Sequence, residues 1–397
     1  MKIQTAGTPK VMRNLNEFLI LDRMIAGGPQ SRADLSRYTG LSKPTVSSAI
    51  AHLLERGLVR ETGRAGNVQG RKAILVEFNP KCFYIIGAEL GGSRLRMALA
   101  DMSGQICHYK QLSMPKDSLT EQAFQDFLVQ GIEGLLADSG LSWEKIQSAA
   151  FGIPGVVDPA DGGVSDLVAP LRGIEAALRL ANLAQLFPVP VVTENDVNLA
   201  ALAEYTSSGM AASGSLLYFS IGEGTGGGLI IHGEIYRGLG GGAGELANLM
   251  LSAGRLEDVL SADGFLKLAA RLVREHHGDA EHVLTAPGVT AERILDEVRR
   301  GQSLALMIIE TYCSLLAEAL GSICTVMAPD TVVLGGGLGS HGDVLLHRLE
   351  VKLDGLHRMP RLSASGHGDK DVVLGAVQVA VQSAFRHMRD NRNNISL

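Results

Sequence analysis

Cysteine is scarce in this chain: four in 397 residues, at positions 82, 107, 313 and 324, with no CxxC spacing among them. That pattern excludes a disulfide-stapled secreted scaffold and reads as reduced thiols in a cytoplasmic protein. No uninterrupted apolar run reaches the roughly 18 residues a membrane-spanning helix requires, so no membrane partner is expected. The first ten residues are polar and lack the hydrophobic core of a secretory signal. Acid is short in residues 1–80, six against twelve basic residues, and base is short in the remainder, 24 against 36 acidic. A basic head on an acidic body suits a head that meets phosphate and a body that does not. Glycine, by contrast, is plentiful at 48 residues, and its most telling members fall in short clusters. Such clusters mark tight turns where backbone can approach a ligand closely.

In the head, Asn14 to Gly28 has helical periodicity and stops at a glycine pair. Ser31 with Asp34 forms a capping-box-like start to a second helix, which ends near Gly40. Ser42 caps a third helix, with Pro44 in its first turn, where a missing N–H costs little. Val46, Ile50, Leu53 and Leu54 share one face of that helix, and Lys43, Thr45, Ser47 and Ser48 begin the other. Small polar side chains can enter a groove without steric conflict. Residues 58–62 and 73–78 read as two strands flanking a glycine-bounded basic tip that carries Arg64, Arg71 and Lys72. Three helices and a basic hairpin describe a winged helix-turn-helix. Ser42, Lys43, Thr45, Ser47 and Ser48 are then DNA-binding residues that enter the groove, and Arg64, Arg71 and Lys72 would reach phosphates or the minor groove.

The body repeats one design. An apolar strand from Tyr84 enters a glycine turn at Glu89-Leu-Gly-Gly-Ser93 and a second, alternating strand leaves it. The same sequence of events recurs around Gly222-Glu-Gly-Thr-Gly-Gly-Gly228. Two such hairpins suggest a duplicated α/β lobe with a cleft between the copies, and their turn amides can cradle phosphate. Phe151-Gly-Ile-Pro-Gly-Val-Val-Asp158 is a strand end with a rigid turn. Residues 190–201 form a strand with Asn195 and Asp196 at its mouth, followed by a small-residue helix, and residues 328–337 are a buried strand running into another glycine loop.

In order and spacing these segments resemble the ROK family, which groups repressors and sugar kinases on the actin-like ATPase fold. The resemblance implies an α/β chain with a winged helix-turn-helix at 1–80 and a two-lobed sugar-kinase-like body at 81–397. Lobe one would span about 81–195 plus the C-terminal helix, and lobe two about 196–374. By the same resemblance Glu89, Gly91 and Gly92 occupy the first phosphate loop, where family kinases have Asp-x-Gly-Gly-Thr. Gly222, Glu223 and Gly224 occupy the second, where they have Gly-Thr-Gly. Glu89 is one methylene longer than the aspartate it replaces. Glu223 puts a carboxylate where a hydroxyl normally faces triphosphate, and at an effective dielectric of about 20, like charges 4 Å apart repel by roughly 4 kcal/mol. Kinase activity is therefore expected to be lost, unless Glu223 turns to solvent.

The sugar end keeps the family pattern better. Asp196 matches the catalytic base, now vestigial, and Asn195 a hydroxyl-binding amide. Glu245, and Asn248 in the place of a histidine, lie in the segment matching Gly-Glu-x-Gly-His. Glu257 corresponds to a further sugar-contacting glutamate or to a helix cap. The family's zinc ligands are absent, and His276, His277 and His282 read as surface residues in a loop-like stretch, so no metal and no cofactor are expected. The resemblance thus implies a cytoplasmic sugar-responsive repressor that binds operator DNA as a homodimer. The alternatives are an active sugar kinase with a DNA-binding head, or a repressor controlled by a partner protein.

Overall fold

The structure is a computed structural model and describes residues 9–64, 73–115, 120–278 and 282–390. The described residues up to position 80 build a head of three helices, α1 (Pro9–Gly27), α2 (Arg32–Thr39) and α3 (Lys43–Glu55). A three-stranded sheet flanks them, with β1 (Gln30–Ser31), β2 (Val59–Arg64) and β3 (Ile74–Phe78) in the order β1-β3-β2. The local signals act as expected. Ser31 Oγ accepts from the Asp34 amide while Asp34 accepts from the Ser31 amide, both at 3.2 Å, closing a capping box. Gly40 ends α2 at φ +71°, a left-handed conformation that suits glycine. Ser42 caps α3 through the Thr45 amide at 3.3 Å. Val46, Ile50 and Leu53 are fully buried; Leu54, expected beside them, is half-buried. Helix α1 starts five residues before the expected point, and β1 was not foreseen. Its two residues gain strand character only by pairing with Val76 and Leu75.

The body is built on two five-stranded sheets. The first comprises β4 (Tyr84–Leu90), β5 (Arg94–Asp101), β6 (Ile106–Ser113), β7 (Ile146–Ile153) and β10 (Val191–Asn195). The second comprises β11 (Ser215–Ile221), β12 (Thr225–Ile231), β13 (Glu234–Ile235), β16 (Thr331–Gly335) and β17 (Arg361–Ala364). Their orders, β6-β5-β4-β7-β10 and β13-β12-β11-β16-β17, are the same when read strand for strand. In each an antiparallel hairpin (β4–β5, β11–β12) is extended by two parallel strands. The duplication inferred from two glycine turns thus extends to the whole topology. Two small hairpins, β8 (Val156–Val157) with β9 (Val164–Ser165) and β14 (Met250–Leu251) with β15 (Gly254–Arg255), project from the loops. One expectation needs correcting. The strand leaving the first turn does not alternate, because Met97 to Asp101 are buried throughout, covered on both faces.

Helices cover both faces of each sheet. On the first, Ile86 and Ala88 face α4 (Glu121–Ser139), α5 (Glu175–Leu178) and α6 (Leu180–Leu186). On the second, Leu217 and Phe219 face α8 (Leu256–Leu260), α9 (Ala262–His277), α10 (Ala291–Arg299), α11 (Ser303–Met327) and α13 (Gly342–Leu353). The short α12 (Gly336–Gly339) follows β16. Between the sheets run α7 (Asp196–Ser207), on β11 and β12, and α14 (Asp371–Asp390), on β4 and β7; the two pack closely against each other. Among the described residues α11 has the length and composition of a membrane span, with a mean hydropathy of 1.5 over its most apolar window. Glu310 and Glu318 interrupt it, and Ile308, Ile309, Leu316 and Leu320 are core residues of the second lobe.

No gap in the core separates head from body. Ile20, Leu21 and Met24 of α1 and Val76 of β3 belong to one buried cluster with Ile85 of β4 and Val377 of α14. Phe78 meets Phe385 edge-on, with ring centroids 5.8 Å apart, and Asp22 pairs with Arg389 near the end of α14. Glu17, buried in α1, is held by His52 at 2.8 Å and Arg56 at 3.3 Å, tying α1 to α3 and its C-cap.

Candidate functional site: recognition helix and inter-lobe cleft

The outward face of α3 is small and polar. Ser42, Lys43, Ser47 and Ser48 are exposed, and Thr45 is half-buried with its hydroxyl 2.8 Å from that of Ser42. Several of the head's other described basic residues are paired: Arg32 with Glu61, Arg37 with Asp34, Arg60 with Glu77. Lys43 has no ion pair among the described residues, which leaves its charge available. Arg64 ends β2; Arg71 and Lys72 lie outside the described residues. A feature the sequence reading missed is Arg13 on α1. With Asn16 it lines a shallow concavity beside Thr45 and Ser48. Only the packing of α1 across α3 brings Arg13 there; its charge was the one signal in the sequence.

The second site lies where the carboxyl ends of β4, β7 and β10 open toward the second lobe, the usual place for ligands in open α/β sheets. Register puts Glu89, Gly152 and Glu194 in one row across those three strands. Asn195 then caps α7, its Oδ1 accepting from the Asn198 amide at 2.9 Å and its Nδ2 donating to the Gly155 carbonyl at 3.0 Å. Asp196 opens the helix, one oxygen accepting from the Val197 amide at 2.9 Å. Its carboxyl is raised to about 7, chiefly by burial, with the charges of Glu89 and Glu245 contributing. Partial desolvation also raises Glu245, with Asp166 and Glu257 adding to the shift. Asp196 is therefore within electrostatic reach of Glu89 and Glu245, and Glu245 within reach of Glu257 and Asp166. Glu245 and Asn248 sit on an exposed loop, after a close passage in which the Gly227 amide donates to the Gly244 carbonyl at 2.7 Å. A Cβ on Gly244 would collide with the Gly227 carbonyl.

Other side chains are held in less expected ways. Glu89 faces Arg96 across the β4–β5 ladder, and Arg96 Nη1 donates to Glu89 Oε1 at 2.6 Å. Arg96 also reaches Gln111 at 3.2 Å and lies 3.6 Å from Asp369. Burial raises the Glu89 carboxyl against the pull of that guanidinium. Its second oxygen is buried and unpartnered. Glu223 sits exposed at the tip of the β11–β12 turn. Glu257 reaches that turn instead, and its Oε2 accepts from the Thr225 amide at 2.8 Å and hydroxyl at 2.6 Å. Glu194, buried and not foreseen, joins Asn198 at 3.0 Å to Arg237 at 2.7 Å. Behind the cleft Tyr218 donates to Asp371, the first residue of α14, at 2.6 Å. The histidines need a correction: His276 and His277 lie on α9 rather than in a loop, where His276 bonds the Leu272 carbonyl at 2.9 Å.

A sequence model of the ROK family matches residues 85–383, and one of the MarR family matches residues 13–67. The chain is 24% identical to the xylose repressor of Caldicellulosiruptor bescii over 394 residues, covering 94% of this chain and 97% of that one. Among solved structures, a ROK family transcriptional regulator, a homolog of the E. coli MLC protein, superposes with a TM-score of 0.76 at 21% identity, covering 96% of this chain and 99% of the other. A ROK family glucokinase from Streptomyces griseus, in complex with glucose and AMPPNP, gives 0.62 at 22% identity, covering 75% and 99%. The glycine hairpins, the doubled sheet and the family match over most of the chain agree: this protein belongs to the ROK family and carries a winged helix-turn-helix head.

Proposed function

We propose that the chain is a sugar-responsive transcriptional repressor that has lost kinase activity and binds operator DNA as a dimer. Ser42, Lys43, Thr45, Ser47 and Ser48 of α3 meet the major groove, with Arg64, Arg71 and Lys72 on the wing. Asn195, Asp196, Glu245, Asn248 and Glu257 line the sugar side. One observation carries the reading: α14 begins behind the cleft, on Asp371 and Tyr218, and ends against the head, on Phe78 and Asp22. Closure of the lobes on a sugar would move the reading helix through that shared element. Loss of kinase activity is supported by the second glycine turn, whose Thr225 amide is already taken by Glu257.

Titration of operator fluorescence anisotropy with a panel of common sugars, for wild type and Asp196→Ala, tests this. Bonds to a charged group are worth roughly 1.5–3 kcal/mol, so the variant's response to the active sugar should shift at least about tenfold. Its operator affinity should stay normal. An unchanged response would remove Asp196 from the site and favour control by a partner protein. A second reading, an active kinase with a DNA-binding head, draws on the glycine turns kept at 222–228; ATP-dependent phosphorylation of the same panel would support it.

A further inference from the structure

We infer that the cleft selects an unphosphorylated sugar and that Glu89 enforces the choice; this rests on the sugar-binding reading above. Asp196 is the group poised to accept a bond from a sugar hydroxyl. A phosphate ester on that hydroxyl would project along the carboxyl ends of β10, β7 and β4, where Glu89 stands two strands away, roughly 10 Å at the usual strand spacing. A phosphomonoester carries nearly two negative charges at neutral pH. It would meet Glu89, Asp196, Glu245 and Glu257 together.

Three of the guanidiniums around the cleft are already paired. Arg96 is committed to Glu89 and Asp369, Arg237 to Glu194 at 2.7 Å, and Arg255 to Asp258 at 3.2 Å. The glycine turns have also spent backbone donors internally. The Gly91 amide bonds the Arg94 carbonyl and the Gly222 amide the Gly224 carbonyl, each at 2.9 Å, while the Thr225 amide bonds Glu257 at 2.8 Å. A neutral sugar has the opposite fit. Its hydroxyls donate, the carboxylates accept, and Glu89 Oε2 is a buried acceptor that has no partner. Arg96 holds the other oxygen and so fixes the direction of this one.

Matched pairs test the inference on the full chain: D-glucose and its 6-phosphate, D-xylose and its 5-phosphate, N-acetylglucosamine and its 6-phosphate, each by thermal shift and calorimetric titration. For the pair that binds, the neutral sugar should be at least about tenfold tighter than its ester. Glu89→Gln removes one negative charge and frees Arg96, so it should close most of that gap. A purely structural role for Glu89 would weaken both members alike and leave their ratio unchanged, which overturns the assignment. An ester that binds the wild type as tightly as its sugar overturns the selectivity and leaves the sugar reading intact. If no member of any pair binds, the sugar reading itself fails.

Discussion

Asp196 holds its proton to about pH 7, whereas an aspartate in an unfolded chain releases it near 3.8. Between those values the folded protein binds a proton that the unfolded chain has lost. The contribution to stability is therefore complete below about pH 4 and disappears as pH rises through 7. The melting temperature of the wild type should fall between pH 5 and pH 8, and Asp196→Asn should flatten that fall. Equal slopes in the two proteins would mean that Asp196 is neither buried nor crowded by Glu89. Asp196 and Asn195 were legible in the sequence because a strand end followed by a small-residue helix fixes their place locally. The partners of the other carboxylates were not. Glu89 meets Arg96 only through the register of the β4–β5 hairpin, and Glu257 meets Thr225 across 32 positions.

Among the elements, α3 was read almost to the residue, because its cap, its proline and its apolar stripe are all local signals. Its role is tested by Lys43→Ala, which removes a charge with no ion pair among the described residues. Operator affinity should drop by a similar factor on all sequences, and the slope of log affinity against log salt should lessen by about one. Ser47→Ala should instead change which base pairs are preferred. Binding assays over a salt series and a randomised site separate the two outcomes, and an unaltered salt slope would place Lys43 away from phosphate. Short edge strands were far less legible. β13 has two residues and β17 four, with no apolar run of their own, and each is a strand only because a longer neighbour supplies its hydrogen bonds.

Across the whole molecule, the twofold repeat was visible in the glycine turns, and the family resemblance extended it to both lobes. The joining of head and body was not visible, since Phe78 and Phe385 are too far apart in sequence for any periodicity to connect them. Because both sides share one core, the head should not melt by itself. Phe385→Ala should destabilise the protein by roughly 1–3 kcal/mol, less than the 3–5 of a fully buried phenylalanine, and calorimetry should show a single transition moved to lower temperature. A separate early transition for the head would show that the shared cluster is not a cooperative unit.

The same cluster sets a timetable for synthesis. The head leaves the ribosome first, but the helix that completes its core, α14, starts about 290 residues after β3 ends. At roughly 5–20 residues per second, that is a delay of roughly 15 to 60 s. Throughout it the surface that Phe78 will offer to Phe385 stays uncovered, while the two lobes of the body are made in between. The head thus reaches its finished form only after both lobes of the body have been synthesised, so its last packing step waits for the last helix of the chain's described residues.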